Sequence, residues 1–348
     1  MKHDPGTGLI YGHPACLEHD PGALSPGHPD TPQRLVSLES ALAARDWLGW
    51  ERRTAPAATE EQLERVHTPE HVRGIRELCA HGGGAIDPDT YAVEASFRAA
   101  THAAGAACAL AGALLAGEAP AGLCAVRPAG HHAERARAMG FCLFNNVAVA
   151  AAAAIAELGL ERVFVFDWDV HHGNGTAEIF DARSDVLFAS IHQWPLYPGS
   201  GRPQERGHGP GEGYTINLPV PPGSGEALWL GLVDRVVLPV AAAYEPQLIL
   251  ISAGFDAHER DPLANCRLTT ASFVEMALRV GAFARERGIG VGMVLEGGYN
   301  VPVLAECVLA TLPALVGDGQ PGPPPDPSGP EQELLASAVA QVSDRWQL

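Results

Sequence analysis

The chain has 348 residues, of which 46% are hydrophobic and 18% charged, and its formal net charge is −18, from 23 Lys and Arg against 41 Asp and Glu. This length and composition are typical of a compact protein with a large core, and they exclude a mainly disordered chain. The negative charge argues against direct binding to nucleic acid phosphates or anionic membranes, and it suits a cationic or neutral substrate.

The first residues, the apolar stretches and the cysteines predict the cellular compartment of the protein. The opening sequence MKHDPGTG has no apolar core of a secretory signal. The longest apolar stretches, at 103–116 and 147–156, are too short to cross a bilayer. The seven cysteines are scattered without a C-x-x-C pair and predict buried, reduced thiols. We therefore expect a cytoplasmic location.

Along the chain, short apolar runs alternate with longer segments of helical composition. Residues 1–33, rich in Gly, Pro and His, are predicted to form an irregular loop region. The candidate strands are 123–126, 163–166, 186–191, 248–252 and 291–295, and the candidate helices are 92–116, 145–158, 226–244 and 270–287. This alternation predicts a parallel sheet with helices on both faces, and ligands then bind beyond the carboxyl ends of the strands.

The domain organisation is read from the linkers. No Pro/Gly-rich linker divides residues 30–316, so residues 1–316 are predicted to form a single domain. Residues 317–330 (GDGQPGPPPDPSGP) form a Pro/Gly-rich spacer that is expected to be extended. A final helix is predicted within residues 331–348.

The strongest local signal is DWDVHHGNG, residues 167–175, which follows the predicted strand VFVF. Residues two apart on a strand point the same way, so Asp167, Asp169 and His171 are expected to project together. Buried carboxylates are costly without a cation, so this motif indicates a divalent metal. The alternative is a polar strand end whose groups are satisfied by hydrogen bonds.

A second signal is RPAGHHA, residues 127–133, which again follows a predicted strand. The neighbouring imidazoles of His131 and His132 cannot both hold a proton easily, an arrangement that suits proton transfer near neutral pH. Two further polar strand ends are SAGFD, with Asp256, and LEGGYN, with Tyr299. Taken singly, each of these two is explained by a turn.

The four motifs together favour a catalytic metal centre, because the carboxyl ends of parallel strands meet at one edge. Three residues offer nitrogen or oxygen ligands, the number expected of a catalytic zinc site with one open position: Asp169, His171 and Asp256. Three more are expected to line that open position: His131, His132 and Tyr299.

With these motifs, the sequence resembles the zinc-dependent histone deacetylase family, which includes acetylpolyamine amidohydrolases and related bacterial deacetylases. The motifs follow the family order between about residues 28 and 316: GHPDTPQRL, RPAGHHA, GFCLFNN, DWDVHHGNG, SIHQWPLYPGSG, AGFDAHERDPL and LEGGYN. Asn174, the Pro-x-Gly before the histidines and the form AGFDAH resemble the class II branch and its bacterial relatives. The resemblance implies an α/β, three-layer arginase/deacetylase-like fold with a central eight-stranded parallel sheet.

The resemblance also implies roles for single residues. Those that match the zinc ligands are Asp169, His171 and Asp256. Those that match the catalytic set are His131, His132, Tyr299, Asp167 and Asn174, with Asp167 behind His131 and Asn174 behind His132. The residues expected to contact substrate are Gly140, Phe141, Tyr197, Asp89 and Leu263, with Arg34 at the inner end of the tunnel.

Structural K⁺ or Na⁺ ions are a further implication of the resemblance. The inner cation site matches Asp167 and Ser190 with the backbone of Asp169 and His171. The outer site matches Phe180, Arg183, Val186 and Tyr214, less closely.

The implied reaction is hydrolysis of the acetyl or acyl amide of lysine side chains, in a peptide or protein, or of small acylated amines. The first alternative is an acetylpolyamine amidohydrolase with the same mechanism. Polyamine-selective relatives place a glutamate near the tunnel mouth, where this chain has Leu263, although Glu259 or Asp261 of the neighbouring loop is a second source of acidity. An arginase-like manganese hydrolase and a non-enzymatic acyl-ligand sensor are further alternatives. A homo-oligomer is compatible with the resemblance.

Overall fold

The computed structural model describes residues 7–347, and these residues form a central parallel sheet with flanking helices. The sheet strands are β1 (Leu9–Gly12), β2 (Glu51–Thr54), β5 (Ala121–Cys124), β6 (Val163–Asp167), β7 (Val186–Gln193), β8 (Thr215–Val220), β9 (Leu248–Ala253) and β10 (Gly290–Leu295). Two short strands, β3 (Gly83–Ala85) and β4 (Tyr91–Val93), pair separately and antiparallel. The eight-stranded parallel sheet implied by the resemblance is confirmed, in the order β2-β1-β5-β10-β9-β6-β7-β8.

Helices cover the two faces of this sheet. They are α1 (Ala15–Glu18), α2 (Gln33–Ala43), α3 (Glu60–Glu64), α4 (Pro69–Ala80), α5 (Ser96–Leu115), α6 (Asn146–Leu158), α7 (Asn174–Phe180), α8 (Glu226–Leu232), α9 (Leu238–Tyr244), α10 (Thr270–Arg287), α11 (Val301–Val316) and α12 (Pro330–Trp346). Helices α5 and α6 pack together on the central strands, and α2, α10 and α11 form a second packed group. Gly122 of β5 allows α5 to approach closely, since a Cβ there would lie 2.3 Å from Cδ1 of Leu110.

Every central strand is buried along nearly its whole length. The runs VFVF of β6 and LILI of β9 are inaccessible to solvent, as expected for parallel strands covered on both faces. All five predicted strands occur, with ends shifted by up to two residues. The predicted helix at 92–116 begins only at Ser96, because residues Tyr91–Val93 pair with β3.

The prediction that residues 1–33 form only irregular loop is wrong for part of that region. Leu9–Gly12 forms β1, which pairs with both β2 and β5, and Ala15–Glu18 forms a short helix. Strands of four residues such as LIYG and ERRT are too short to show a periodic pattern. They are stabilised by pairing with distant strands, which is not visible in the local sequence.

One helical stretch within residues 7–347, Glu226–Tyr244, is long and apolar enough to cross a membrane by length and composition, with a mean hydropathy of 1.5. This stretch comprises α8, a π-helical turn at Val233–Val237 and α9. About three fifths of it (61%) is buried inside the fold. Its apolar residues are therefore accounted for by packing, as in the core helices of folded proteins.

The end of the chain folds back onto the sheet edge. Residues between α11 and α12 have no helix or strand, and Gly322 in this segment accepts a hydrogen bond of 2.6 Å from Arg279. Helix α12 contacts α8 and α9, and its Trp346 indole donates to the carbonyl of Gly213 at 3.2 Å. The seven cysteines are free, and all but the partly buried Cys108 are buried.

A buried ionic cluster ties the N-terminal region to the end of β5. Oδ1 of Asp30 accepts hydrogen bonds from Arg34 at 3.0 Å and from Arg127 at 2.6 Å, and Nε2 of His19 lies 3.4 Å from Oδ2. All four side chains are about 1% exposed. Burial opposes ionisation of Asp30, but Arg127, His19 and Arg34 hold its pKa well below the usual range.

Removing this carboxylate leaves two buried guanidinium groups without their counter-ion. We expect Asp30→Ala to lower the free energy of unfolding by about 3–5 kcal/mol, the usual cost of breaking a buried pair. Urea denaturation measures the change. The control Glu161→Ala removes a carboxylate that is 80% exposed and pairs with Arg162 across 3.5 Å, so its unfolding curve should be unchanged. Equal stability of both variants would contradict the role of the cluster.

Candidate active site

The four strands that end in polar motifs are neighbours in the sheet, in the order β5, β10, β9 and β6. In the register of the sheet, Asp167 lies opposite Ser252 of β9 and Ser190 of β7. Because the strands are parallel, their carboxyl ends lie at the same edge. The structure therefore brings the four motifs together, as expected from the sequence.

Three side chains at this edge form a compact group of potential metal ligands. The ligand atoms of Asp169, His171 and Asp256 all lie within 4.8 Å of one another. Nδ1 of His171 is 3.1 Å from Oδ1 of Asp169 and 3.1 Å from Oδ2 of Asp256, and all three residues are less than 9% exposed. Two buried carboxylates around one imidazole require positive charge, so this set fits a divalent cation that accepts oxygen and nitrogen ligands.

Asp167 does not join this group. Strand β6 ends at Asp167, and the following backbone is no longer extended, so the expected projection of Asp167 with Asp169 and His171 does not occur. Instead, Oδ1 of Asp167 accepts the N–H of Asp169 at 3.1 Å, and Oδ2 lies 3.0 Å from Nδ1 of His131. Asp167 therefore lies behind His131, where the family resemblance places it.

The tandem histidines have different partners and opposite charge preferences. Nδ1 of His132 is 2.7 Å from Oδ1 of Asn174, and the rings of His131 and His132 are 4.0 Å apart. Burial disfavours a charged His131, but the carboxylates of Asp167 and Asp169 raise its pKa to about 10. Burial, and then His131 and His171, lower the pKa of His132 well below its usual range. His131 thus favours its protonated form, while His132 favours its neutral form, which keeps a lone pair free.

Tyr299 is held beside the candidate metal ligands by contacts on three sides. The guanidinium carbon of Arg34 is 4.8 Å from its ring centroid, and the ring of Phe141 meets it edge-on at 5.7 Å. The N–H groups of Tyr299 and Asn300 donate to Oδ2 of Asp261 at 2.7 and 3.2 Å. Asp261 is thus used to hold the turn after β10, and its burial raises its pKa to about 6.

A pocket of about 200 Å³ adjoins the candidate metal ligands, of which His171 is part of its lining. Its lining consists of Asp89, His132, Gly140, Phe141, His171, Leu196, Tyr197, Leu263 and Tyr299. The five residues expected to contact substrate are all in this set, and Leu196 adds to them. Tyr197 meets His132 edge-on at 5.2 Å. Gly140 has a φ of +55°, and a Cβ there would lie 2.4 Å from Cδ2 of His132, so only glycine fits.

The acidic residues considered for the rim have different positions. Oδ1 of Asp89 accepts a hydrogen bond from the Thr90 hydroxyl at 2.9 Å, and that hydroxyl accepts the N–H of Phe141 at 3.1 Å. Asp89 therefore lies at the pocket and is connected to its aromatic wall. Glu259 lines a separate surface cavity, and Asp261 faces backbone amides. Neither residue is part of the pocket lining, and their contribution of acidity at the rim stays a prediction.

The residues expected to bind monovalent cations lie on or near strands β6, β7 and β8. Ser190 lies opposite Asp167 in register, and its hydroxyl is 2.9 Å from Nδ1 of His192. At the outer position, the Arg183 guanidinium lies 5.2 Å from the Phe180 ring centroid. Val186 begins β7, and Tyr214 directly precedes β8. The placement of these residues leaves the cation sites as predictions.

Two carboxylates of the site were not given roles from the sequence. Oε2 of Glu296 accepts the N–H groups of Gly130 and His131 at 2.7 and 3.1 Å, and burial raises its pKa to about 7. Oε1 of Glu134 accepts a hydrogen bond of 2.8 Å from Asn174. In the sequence, Glu296 could have been recognised as a site residue because it is a carboxylate that directly follows the buried strand β10. Glu134 is adjacent to the HHA motif, but its partner is 40 residues away.

Comparison with known proteins agrees with this site. Residues 28–315 match the family described as histone deacetylase domain. A histone deacetylase-like amidohydrolase of Pseudomonas aeruginosa is 42% identical over 293 residues, covering 83% of this chain and 76% of that protein. The human polyamine deacetylase HDAC10 is 39% identical over 339 residues, covering 91% of this chain and 49% of that protein.

Among solved structures, the crystal structure of the HDA15 HD domain has a TM-score of 0.91 to this chain and is 36% identical in sequence. The match covers 98% of this chain and 96% of that chain. The similarity thus extends over the whole sheet and both helical layers, and the fold is the arginase/deacetylase fold. The motifs at four strand ends, this fold and the match over residues 28–315 show that the chain belongs to the histone deacetylase family of deacetylases and amidohydrolases.

Proposed function

We propose that the protein hydrolyses the acetyl or acyl amide of lysine side chains, in peptides or proteins, or of similar acylated amines, with a single Zn²⁺ and the tandem-histidine pair. The observation that carries this proposal is the position of the Asp169, His171 and Asp256 group, which adjoins a narrow aromatic pocket also lined by His132 and Tyr299. One set of residues can thus hold a metal, a base and an oxyanion donor around one bound amide.

The donor set supports zinc. One nitrogen and two carboxylate ligands leave an open position in a four-coordinate site, as in catalytic zinc centres. When Zn²⁺ is bound, it supplies the Lewis acidity that lowers the pKa of a water molecule and polarises an amide carbonyl. In residues 7–347, this is the one group of three His, Cys, Asp or Glu side chains close enough to hold an ion, which argues against an arginase-like pair of bridged metals.

Different side chains of the protein carry out the separate proton-transfer steps. Nδ1 of His132 is engaged by Asn174, so its Nε2 is available to take a proton from the attacking water. Asp167 orients His131 and stabilises its charged form. The pair returns a proton to the leaving amine. The Tyr299 hydroxyl donates to the oxygen that becomes negative in the transition state, and an intact Tyr299 and histidine pair argue against a non-catalytic acyl-ligand sensor.

The pocket supports an unbranched substrate. The rings of Phe141 and Tyr197 are part of its wall, and the volume of about 200 Å³ suits an alkyl chain that ends in a small amide. We also propose that Asp167 and Ser190 hold a K⁺ or Na⁺ ion behind the site, because the two residues lie side by side on the neighbouring strands β6 and β7.

The metal assignment predicts one zinc per chain. Asp169→Ala and His171→Ala should lose both the metal and the deacetylase activity, because each removes one of three ligands. Elemental analysis and kcat/KM measured on an acetyl-lysine peptide provide the two readouts. Glu259→Ala, which removes a carboxylate away from the pocket, is the control and should retain both. Full activity after exhaustive chelation, or two metals per chain, would rule out this centre.

Tyr299→Phe separates metal binding from chemistry. Since Tyr299 is assigned no metal contact, the variant should retain zinc while kcat falls roughly 10²–10³-fold, the usual effect of deleting one oxyanion donor. Zinc content and steady-state kinetics are measured on the same preparation. A kcat near that of the unmodified protein would remove Tyr299 from the mechanism.

An acetylpolyamine is the second candidate substrate. Human HDAC10, which is named a polyamine deacetylase, is 39% identical, and the net charge of −18 favours cations. A polyamine needs a carboxylate for its distal ammonium group, whereas Leu263 at the pocket is apolar. Asp89 is the carboxylate in the pocket lining, and its Oδ1 already accepts a hydrogen bond from the Thr90 hydroxyl. These contacts favour acyl-lysine.

A substrate panel tests this choice. We expect acetyl-lysine peptides to be turned over at least as efficiently as acetylated spermidine or putrescine. Leu263→Glu should shift the ratio of kcat/KM values towards the polyamines by about tenfold, or about 1.4 kcal/mol. Leu263→Gln introduces a side chain of the same size as glutamate but without its charge, and it should leave the ratio of kcat/KM values unchanged. A tenfold preference of the unmodified protein for acetylated polyamines in kcat/KM would contradict acyl-lysine as the preferred substrate and favour the acetylpolyamine.

A further inference from the structure

The residue behind the proposed base His132 is an amide. Oδ1 and Nδ2 of an asparagine exchange places when the amide rotates by half a turn, so Asn174 can offer His132 either an acceptor or a donor. As an acceptor, it requires a proton on Nδ1 of His132 and leaves Nε2 with a free lone pair. As a donor, it stabilises the opposite tautomer, in which Nε2 carries the proton and cannot act as a base.

The carboxylate of Glu134 resolves this ambiguity. Oε1 of Glu134 lies 2.8 Å from Nδ2 of Asn174, and an ionised carboxylate can only accept. The other contacts of Nδ2 are also acceptors, the carbonyl of His132 at 3.4 Å and the Met139 sulfur at 3.3 Å. With Nδ2 directed to these groups, Oδ1 must face Nδ1 of His132, at the observed 2.7 Å.

The backbone of Glu134 is held on both sides. Its N–H donates to the carbonyl of Arg137 at 2.9 Å, and its own carbonyl lies 2.9 Å from Nδ1 of His67. The side chain is half-buried at a surface cavity whose lining includes Asn174 and Glu178. The carboxylate is thus presented to Asn174 from a backbone segment that hydrogen bonds hold in place.

We propose that Glu134 is a positioning residue for deacetylation, which orients the Asn174 amide so that His132 keeps its proton on Nδ1 and its lone pair on Nε2. This inference rests on the proposed role of His132 as the base. A carboxylate directly behind a histidine fixes the tautomer by itself. Here the carboxylate belongs to Glu134, one residue further from His132. It orients the Asn174 amide, and the amide oxygen then fixes the tautomer of His132.

A double-mutant cycle tests the mechanism. Glu134→Ala should lower kcat about 10–100-fold, the range for partners that orient active-site groups, with KM unchanged within about twofold because Glu134 does not line the substrate pocket. In an Asn174→Asp background, the new carboxylate can only accept from His132. Glu134→Ala should then not lower kcat, because no amide remains to be oriented and its removal relieves the repulsion between the two neighbouring carboxylates.

The matched control is Glu178→Ala. Glu178 lies one turn from Asn174 on α7 and lines the same cavity, but its carboxylate accepts the N–H of Arg135 at 3.0 Å. Its removal should leave kcat within twofold. All variants should retain the metal content of the unmodified protein, which separates positioning from loss of the site.

A spectroscopic readout is independent of turnover. In holoenzyme labelled with ¹⁵N in its imidazoles, with the His132 signals identified by their loss in His132→Gln, the shifts should report protonated Nδ1 in the unmodified protein. Glu134→Ala should show a mixture of tautomers. Equal losses of kcat in both backgrounds, or an unchanged tautomer, would overturn the inference. Absence of deacetylase turnover in the unmodified protein would refute the proposed function, while the tautomer measurement would still decide the role of Glu134.

Discussion

Buried negative charge at the carboxyl edge of the central sheet is the constraint on which the site depends. Asp167, Asp169, Asp256 and Glu296 are all at most 1% exposed, and a carboxylate in such a place is stable only with a cation or with several hydrogen-bond donors. Asp167 is balanced by His131, while Asp169 and Asp256 share His171 and require further positive charge. The proposed metal site accounts for this excess of carboxylates over cationic partners.

The same constraint explains the surroundings of the site. Each buried carboxylate that is not a candidate metal ligand holds a segment of chain that carries a functional group. Asp261 binds the amides of the Tyr299 turn, and Glu296 binds the amides at the tandem histidines. Asp30 pairs with Arg34, whose guanidinium lies against the Tyr299 ring. Charge that would otherwise destabilise the core is thereby used to hold loops in place.

The neutral Asn174 gives His132 a different environment from that of its neighbour. His131 has a carboxylate directly on Nδ1, and His132 has an amide whose other end contacts Glu134. The carboxylate of Asp167 favours the charged form of His131. The Asn174 amide keeps the proton of neutral His132 on Nδ1, but it stabilises a positive charge on that ring less than a carboxylate would. The two adjacent imidazoles can therefore have opposite roles in one proton transfer.

The sequence by itself determined the central strands, the parallel sheet and the group of candidate metal ligands, because these depend on local patterns: an apolar run of buried strand, followed by His or Asp. Parallel pairing then places such ends at one edge. Only the tertiary structure decided the edge strands β2 and β8 and the adjacent β1, which are short or contain polar residues and form by pairing with distant parts of the chain. It also decided the partner of each carboxylate. Glu296 contacts residues 165 and 166 positions away, Asp261 one 38 away and Glu134 one 40 away, and no local periodicity encodes contacts over such separations.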